Sequence, residues 1–349
     1  MFGLLIRHVR LSDLDAVEHL AMGSLSGMTS LPKNRDALKK RIQSAIDGKI
    51  DFFVLEDAGD VIGTCAIVPQ VGIDQPFYTY DIQALHRKSK SLRKTVDLRV
   101  LNVRKTRHGP TEIGTLYLHP EHRQKGIGRF LSLSRFLYIA LRPERYQETV
   151  IAEMRGVSDA EGRSPFWDHV GRHFFKMEFE QADLLTSMDK TFLEELLPKT
   201  PIYIDLLPSD AQEVIGKAHE HTQPALRMLE QEGFAMTHHV DLFDAGPQVS
   251  VRRKHIRTIK ETRRARVSGT VDEESHSFLA MMTHGRHSDY RACVSAVEFH
   301  SDGVAISESA FALLKIKKGD MIFFSPFYED RSFIRRFARW VRSVPILSK

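Results

Sequence analysis

Apolar residues fall along this chain in two rhythms. Short continuous or alternating runs, rich in β-branched and aromatic residues, occupy positions 4–9, 52–56, 61–68, 113–118 and 149–154. Runs of that length and period read as strands. Elsewhere the apolar spacing is three to four residues. Leu14, Val17 and Leu20 follow Ser12, with Asp13 and Asp15 in the first turn; Leu38, Ile42 and Ile46 form a second set; Phe130, Leu131, Leu133, Phe136 and Leu137 form a third. These predict three helices, the first opened by Ser12. Asp57-Ala58-Gly59-Asp60 predicts the hairpin turn between the two strands it separates. Further on, Ser164 and Pro165 open a helix through Gly171, and residues 225–233 form another, ended by Gly233, ahead of a strand at 234–243.

That order is strand, two helices, hairpin, strand, helix, strand, and it predicts an α/β (α+β) fold on a mixed central sheet. The helix and strand of 225–243 echo residues 166–179, so the chain after about residue 145 reads as a partial second copy of its first half. Residues 76–109 are aromatic at one end and basic from Arg87 to Arg107, without stacking aromatics between the charges. They are expected to be solvated loops and strand edges rather than a nucleic-acid surface. A solvated helix face is the expectation for the basic stretch 252–266, and a linker for 272–277. Runs at 290–299, 303–306 and 321–324, with a turn at Lys318-Gly319-Asp320, predict a small β-rich tail, closed by a basic amphipathic helix at 331–342 that packs rather than anchors to a membrane.

Composition narrows the function classes. The 349 residues, 42% of them hydrophobic, suffice for more than one core. Two distant cysteines, Cys65 and Cys293, exclude a disulfide framework or a cysteine-rich zinc site, and no metal is expected. No basic and apolar leader opens the chain, and no apolar run reaches membrane-spanning length, so a cytoplasmic protein that binds neither membrane nor nucleic acid is expected. A net charge of +5 and a pI near 9.1 suit an anionic small-molecule partner.

Between the strand at 113–118 and the helix that begins near Phe130 lies Arg123-Gln124-Lys125-Gly126-Ile127-Gly128. Glycines carry no Cβ, so a ligand can come close to the backbone there, and the amides of Gly126, Ile127, Gly128 and Arg129 open a helix N-terminus. Such a loop binds an anion, most plausibly a pyrophosphate. Its spacing is neither G-x-G-x-x-G nor a P-loop. It resembles the R/Q-x-x-G-x-G/A acyl-CoA signature of the GNAT superfamily of N-acyltransferases, carried here by Arg123, Gly126 and Gly128. The resemblance implies a GNAT fold, with a splayed pair of parallel strands making the slot for pantetheine and the strand at 149–154 as its second wall.

A narrower likeness runs from about residue 5 to about 265. Leu31-Pro32, Ala152-Glu153-Met154-Arg155-Gly156-Val157, Ser164-Pro165-Phe166-Trp167, Pro201-Ile202-Tyr203, Val214-Ile215-Gly216, Glu232-Gly233-Phe234 and Phe243-Asp244-Ala245-Gly246-Pro247 resemble blocks of the bacterial arginine N-succinyltransferases in the same order. This implies transfer of the succinyl group of succinyl-CoA to the α-amine of L-arginine, in arginine catabolism. By the same resemblance Leu116 contacts succinyl-CoA, through backbone groups where the strands part, and His219 is the catalytic histidine. Histidine suits proton transfer because it titrates nearest neutral pH; its neighbour His221 reads as part of an ordinary helix start.

Glu153 and Arg155, at the end of the second wall, are candidates for the polar ends of the amine substrate, or else a structural ion pair. The expected organisation is 1–145 for acyl-CoA binding, 146–265 completing the transfer site, and 278–349 as the tail, in a homo-oligomer or a pair with a homologous subunit. An acetyltransferase acting on another small amine or on protein, and a non-catalytic acyl-CoA-binding subunit, stay open.

Overall fold

The computed structural model describes residues 3–24, 28, 30–124, 126–159, 162–272, 278–327 and 340. The expected linker at 272–277, apart from Asp272, and the terminal helix at 331–342, apart from Trp340, lie outside the described residues.

Strand β1 (Leu5–His8) leads through a single 3-10 turn into α1 (Leu14–Met22). Ser12 does not cap it. The Asp13 carboxylate accepts the Arg10 backbone N–H (2.7 Å) and pairs with buried Arg7 (2.7 Å), a charge partner that a hydroxyl cannot replace. Helix α2 (Arg35–Ile46) is capped by Asn34, whose side chain accepts from the Ala37 N–H at 2.9 Å. The hairpin β2 (Asp51–Asp57) and β3 (Asp60–Val68) turns on Ala58 and Gly59, with φ of 51° and 100°. Those angles give the primed turn that matches strand twist.

Residues 76–109 are not loops. They form β4 (Phe77–Ser89) and β5 (Lys94–Thr106), two strands paired along their whole length. Tyr78, Tyr80 and Ile82 lie on one face, with Tyr80 and Leu101 buried against the helices that follow; Arg87, Lys88 and Lys94 lie toward the far end and Arg104 and Lys105 at the base. The alternation was diluted there by charge, because only the base of the ribbon is covered.

Next come β6 (Thr111–Leu118), α3 (Ile127–Leu141) and β7 (Thr149–Glu153). A π-helical turn, Trp167–Gly171, runs into α4 (Arg172–Phe175), then α5 (Phe179–Met188) and α6 (Thr191–Leu196). The expected echo of helix and strand therefore fails at Phe179. Helix follows helix, since Glu178 and Gln181 form a capping box that restarts the chain as α5. Short β8 (Ile202–Tyr203), α7 (Ser209–Val214), α8 (Gln223–Gln231), β9 (Ala235–Val240) and β10 (Pro247–Arg252) follow.

The basic stretch expected as one helix face is instead the end of β10, a short α9 (Arg257–Glu261), and β11 (Arg263–Thr270). Ala265 and Val267 are buried while Arg264 and Arg266 are exposed, so period two prevails. In the tail, β12 (Phe278–His284), β13 (Arg291–His300), β14 (Gly303–Ile306), α10 (Glu308–Leu314) and β15 (Met321–Pro326) complete the described chain.

All strands join one sheet, in the order β12-β15-β11-β14-β13-β1-β2-β3-β6-β7-β10-β9-β4-β5-β8. Because β12 also pairs with β13, the tail strands close into a small barrel, and β13 fastens that barrel to β1. Helix α3 is buried nearly all round, packed against β3, β6, β12, β15 and α9, and encloses Ser132, Ser134 and Arg135 among its apolar residues. No described helix is long and apolar enough to cross a membrane.

Candidate active site

At the centre of the sheet, β6 is antiparallel to β3 and parallel to β7. The β6–β7 ladder holds only at Thr111↔Val150 and Glu112↔Ile151; beyond these the strands part. On the other side, Thr64 faces Tyr117 and Ala66 faces Gly114, so the single residue Cys65 stands opposite Thr115 and Leu116. This is a β-bulge, and Thr115 is driven to φ 54° to make it. Thr64 Oγ1 donates to the Thr115 carbonyl at 3.0 Å, and Arg41 Nη2 donates to Thr115 Oγ1 at 2.9 Å. Leu116 packs its side chain, partly buried, against the core that includes α3.

Past the strand, Arg123 Nε donates to the Leu118 carbonyl at 3.2 Å and draws the loop back on itself. Gly126, at φ 93° and ψ −22°, is the N-cap of α3 in a left-handed conformation that favours glycine. Among the described residues no side chain caps this helix and no acidic residue sits in its first turn, and the Ile127 N–H donates to the Gln124 carbonyl at 3.3 Å. A Cβ built on Gly128 would meet only Leu118 Cδ2, at 3.9 Å. The Arg129 side chain donates to the Phe327 carbonyl and to Gln231 Oε1, both at 3.2 Å.

The end of β7 brings in the histidine. Gly156 bridges to Ala218, and the His219 N–H donates to the Arg155 carbonyl at 2.8 Å. His219 is 8% exposed. Its Nδ1 accepts the His221 backbone N–H at 3.1 Å, which assigns the proton of the neutral ring to Nε2. Burial, then the Arg155 charge, then His221 hold the imidazole below its ordinary value. His221 keeps its own ring in solvent. Asp244 locks the crossing from the other side, accepting from the Gly156 N–H at 2.7 Å and the Gly246 N–H at 2.8 Å. A Cβ on Gly246 would lie 2.0 Å from the Met154 carbonyl, so this close passage of two strands demands glycine.

Around the parting of the strands stands a charged cluster. Thr149, Ile151 and Glu153 share one face of β7, and Glu112 lies on the same side of β6. Burial first, then Asp241, Glu112 and Asp244, hold the Glu153 carboxyl well above the ordinary carboxylate range. Burial raises Glu112 against the pull of Lys190 and Arg41, and pushes Asp183 up to about 7, with Asp241 adding to the shift. Glu153 Oε1, Arg155 Nη1 and Arg41 Nε are buried with no hydrogen-bond partner. Buried polar atoms without a partner are costly unless something completes them.

Further along the same face a cavity of about 600 Å³ opens between β7, β9, β10 and the base of the β4–β5 ribbon, lined by Ile151, Thr237, His239, Gln248 and Arg104 among others. Sequence reasoning found Glu153, Arg155 and His219 but not Arg41, Glu112, Asp183 or Asp241. The one available signal was the Phe243-Asp244-Ala245-Gly246 block, beside Asp241. Among the described residues no group of three or more His, Cys, Asp or Glu is placed to hold a metal ion.

Strands that part beside a bulge, next to a glycine-opened and uncapped helix, define an acyl-CoA N-acyltransferase of the GNAT fold. Residues 4–258 match the family described as arginine N-succinyltransferase beta subunit, and 263–326 match its C-terminal domain. The chain belongs to the arginine N-succinyltransferase family. It is 38% identical over 332 residues to arginine N-succinyltransferase of Photorhabdus laumondii, covering 91% of this chain and 97% of that one. It is 41% identical over 288 residues to arginine N-succinyltransferase subunit beta of Pseudomonas aeruginosa, covering 79% and 85%. The solved structure of arginine/ornithine succinyltransferase subunit AI from Pseudomonas aeruginosa superposes with a TM-score of 0.85 at 30% identity, covering 94% of this chain and all of that one.

Proposed function

We propose that this enzyme transfers the succinyl group of succinyl-CoA to the α-amine of L-arginine, with His219 as general acid/base. The observation that carries the reading is the place of His219: buried, and tied through its backbone to Arg155, whose guanidinium and the neighbouring Glu153 carboxyl have orphaned atoms. The pyrophosphate of CoA lies on Arg123 and the amides of Gly126, Ile127, Gly128 and Arg129. Pantetheine enters between β6 and β7, and the thioester meets backbone groups of Leu116.

On the acceptor side, Arg155 takes the α-carboxylate of arginine, while Glu153, supported by Asp241, takes the guanidinium. The amine attacks the thioester carbonyl and loses a proton, the tetrahedral intermediate collapses, and the departing thiolate gains one. Those two transfers balance, so the imidazole ends the cycle as it began. The imidazole accepts the proton that the amine loses and, as imidazolium, hands a proton to the thiolate, since a neutral ring giving up Nε2–H alone would be left as imidazolate.

Residues 1–145 serve acyl-CoA binding, 146–265 complete the site, and 278–349 form the tail. An oligomer, of this chain alone or with a homologous subunit, is in keeping with relatives named as subunits. The test is release of free CoA thiol by the purified protein given succinyl-CoA and L-arginine, with mass analysis of the product. No thiol release above background, or faster release with acetyl-CoA than with succinyl-CoA, overturns the reading.

A further inference from the structure

Succinyl differs from acetyl by a second carboxylate, so an enzyme selective for it has to supply a cation near the thioester. Resting on the succinyl-transfer reading above, we propose that Arg41 is the residue that holds the distal carboxylate of the acyl group and selects a dicarboxylic acyl-CoA over acetyl-CoA.

Arg41 rises from α2 onto the face of the sheet that carries Glu112, and its guanidinium sits over the Phe52 ring, 5.9 Å from the centroid. Its Nη2 donates to Thr115 Oγ1 at 2.9 Å, at the bulge and next to Leu116. Its Nε is buried and has no partner. Among the described residues Arg41 enters no ion pair with a carboxylate; Glu112 acts on it only through space. A cation left in that state carries a desolvation cost that an anionic ligand offsets.

Space for the ligand is present at the same place. A Cβ on Gly114 would meet only Glu112 Oε1 at 3.8 Å and Ser30 Oγ at 4.0 Å, so the strand beside Arg41 leaves room for a short acyl chain. Two carboxylates meet near the reacting atoms, that of the acyl group and the α-carboxylate of the acceptor; among the described residues Arg41, Arg155 and Arg172 each have an orphaned nitrogen, and Arg172 is already paired with Asp168 and Glu178. Geometry divides them. The α-carboxylate sits on the same carbon as the reacting amine, so it belongs with Arg155, whose carbonyl fixes His219 at 2.8 Å. Arg41 reaches from α2 to the other wall, at Thr115 of the strand that receives the thioester.

The experiment measures kcat/KM for succinyl-CoA, acetyl-CoA and butyryl-CoA in wild type and Arg41→Gln, with arginine and with agmatine, which lacks the α-carboxylate, as acceptors. Arg41→Gln should lose on the order of 10²-fold with succinyl-CoA and little with acetyl-CoA, because a site built for a polar group suffers most when that pairing is removed. The loss should be the same for both acceptors. Retention of the succinyl preference overturns the inference, and so does a loss confined to arginine, which would assign Arg41 to the acceptor carboxylate.

If Arg41→Gln does not fold, Arg41→Lys carries the test, since it keeps the charge without the fork and should show intermediate selectivity; wild-type selectivity in that variant overturns the inference. Equilibrium binding to wild type separates this proposal from the reaction itself. Absent turnover with tighter binding of succinyl-CoA than acetyl-CoA sinks the reaction alone, whereas equal binding of the two sinks Arg41 as the selector.

Discussion

The backbone N–H of His219 donates to the carbonyl of Arg155 at 2.8 Å, so the imidazole is placed by the last residues of the strand that walls the acyl-CoA slot. A shift of β7 would move the histidine and the Arg155 guanidinium together. His219→Ala should lower turnover by about 10²- to 10⁴-fold while succinyl-CoA still binds, and His221→Ala should be mild because its ring is in solvent. The sign of the pH effect follows from burial and the Arg155 charge, which disfavour the imidazolium. The neutral ring therefore persists to lower pH than for a free histidine, and the acid limb of kcat/KM should fall below 6.5, the ordinary value. An unchanged limb in His219→Ala, measured over that range, would show that another group titrates.

Gly128 is the better probe of the pyrophosphate loop than Gly126. A side chain at Gly126 would be strained by its left-handed φ of 93°, whereas Gly128 has free space around its missing Cβ. Gly128→Val should keep its melting temperature and weaken CoA binding by at least about tenfold, since the branched side chain occupies the approach to the amides. Calorimetric titration with CoA decides it, and wild-type affinity in the folded variant refutes the loop assignment.

Burial first, with Asp241 adding, raises the carboxyls of Glu153, Glu112 and Asp183 above the ordinary carboxylate range. A guanidinium entering the cluster favours the ionised carboxylates, so arginine binding should release protons and tighten as pH rises toward neutrality. Heats of arginine binding measured in two buffers of different ionisation enthalpy give the proton count. Glu153→Gln should diminish that release and raise the arginine KM by roughly tenfold, in line with loss of a charge-assisted bond; equal heats in both buffers for wild type would exclude the linkage.

A structural prediction concerns Glu232, which is 1% exposed and ties α8 to α9. It accepts from Arg257 Nη2 at 3.0 Å and from the Thr258 backbone N–H at 2.7 Å. Glu232→Ala leaves both donors without this acceptor and should cost about 3–5 kcal/mol in urea unfolding. A loss under about 1 kcal/mol would mean that water or a rearranged side chain replaces the carboxylate.

Most elements before residue 70, the loop at Arg123 to Gly128 and the helix after it were legible in the chain, because each rests on interactions within a few residues. A polar residue before a helix, glycines at a helix start, and alternating apolar positions keep their meaning whatever the fold around them. Where charge masked the period, as in the β4–β5 ribbon, or where two arginines alternated with Ala265 and Val267, the local signal pointed the wrong way. Closure of the tail strands into a barrel left no mark on the sequence at all, since it depends on β12 meeting both β13 and β15.

The glycine loop, the family likeness and the candidate His219 thus belong to the sequence. The charged cluster belongs to the tertiary structure. Arg41 reaches a threonine 74 residues away, and Glu112 lies near Glu153 only because β6 and β7 pair in a register of two residues and then separate. Register between strands and the packing of α2 on the sheet set those distances, and no periodicity in one stretch of chain encodes them. Burial then does the rest: the same arginine and glutamate on a surface would be solvated and unremarked, but beside the parted strands their orphaned atoms define what the site must bind.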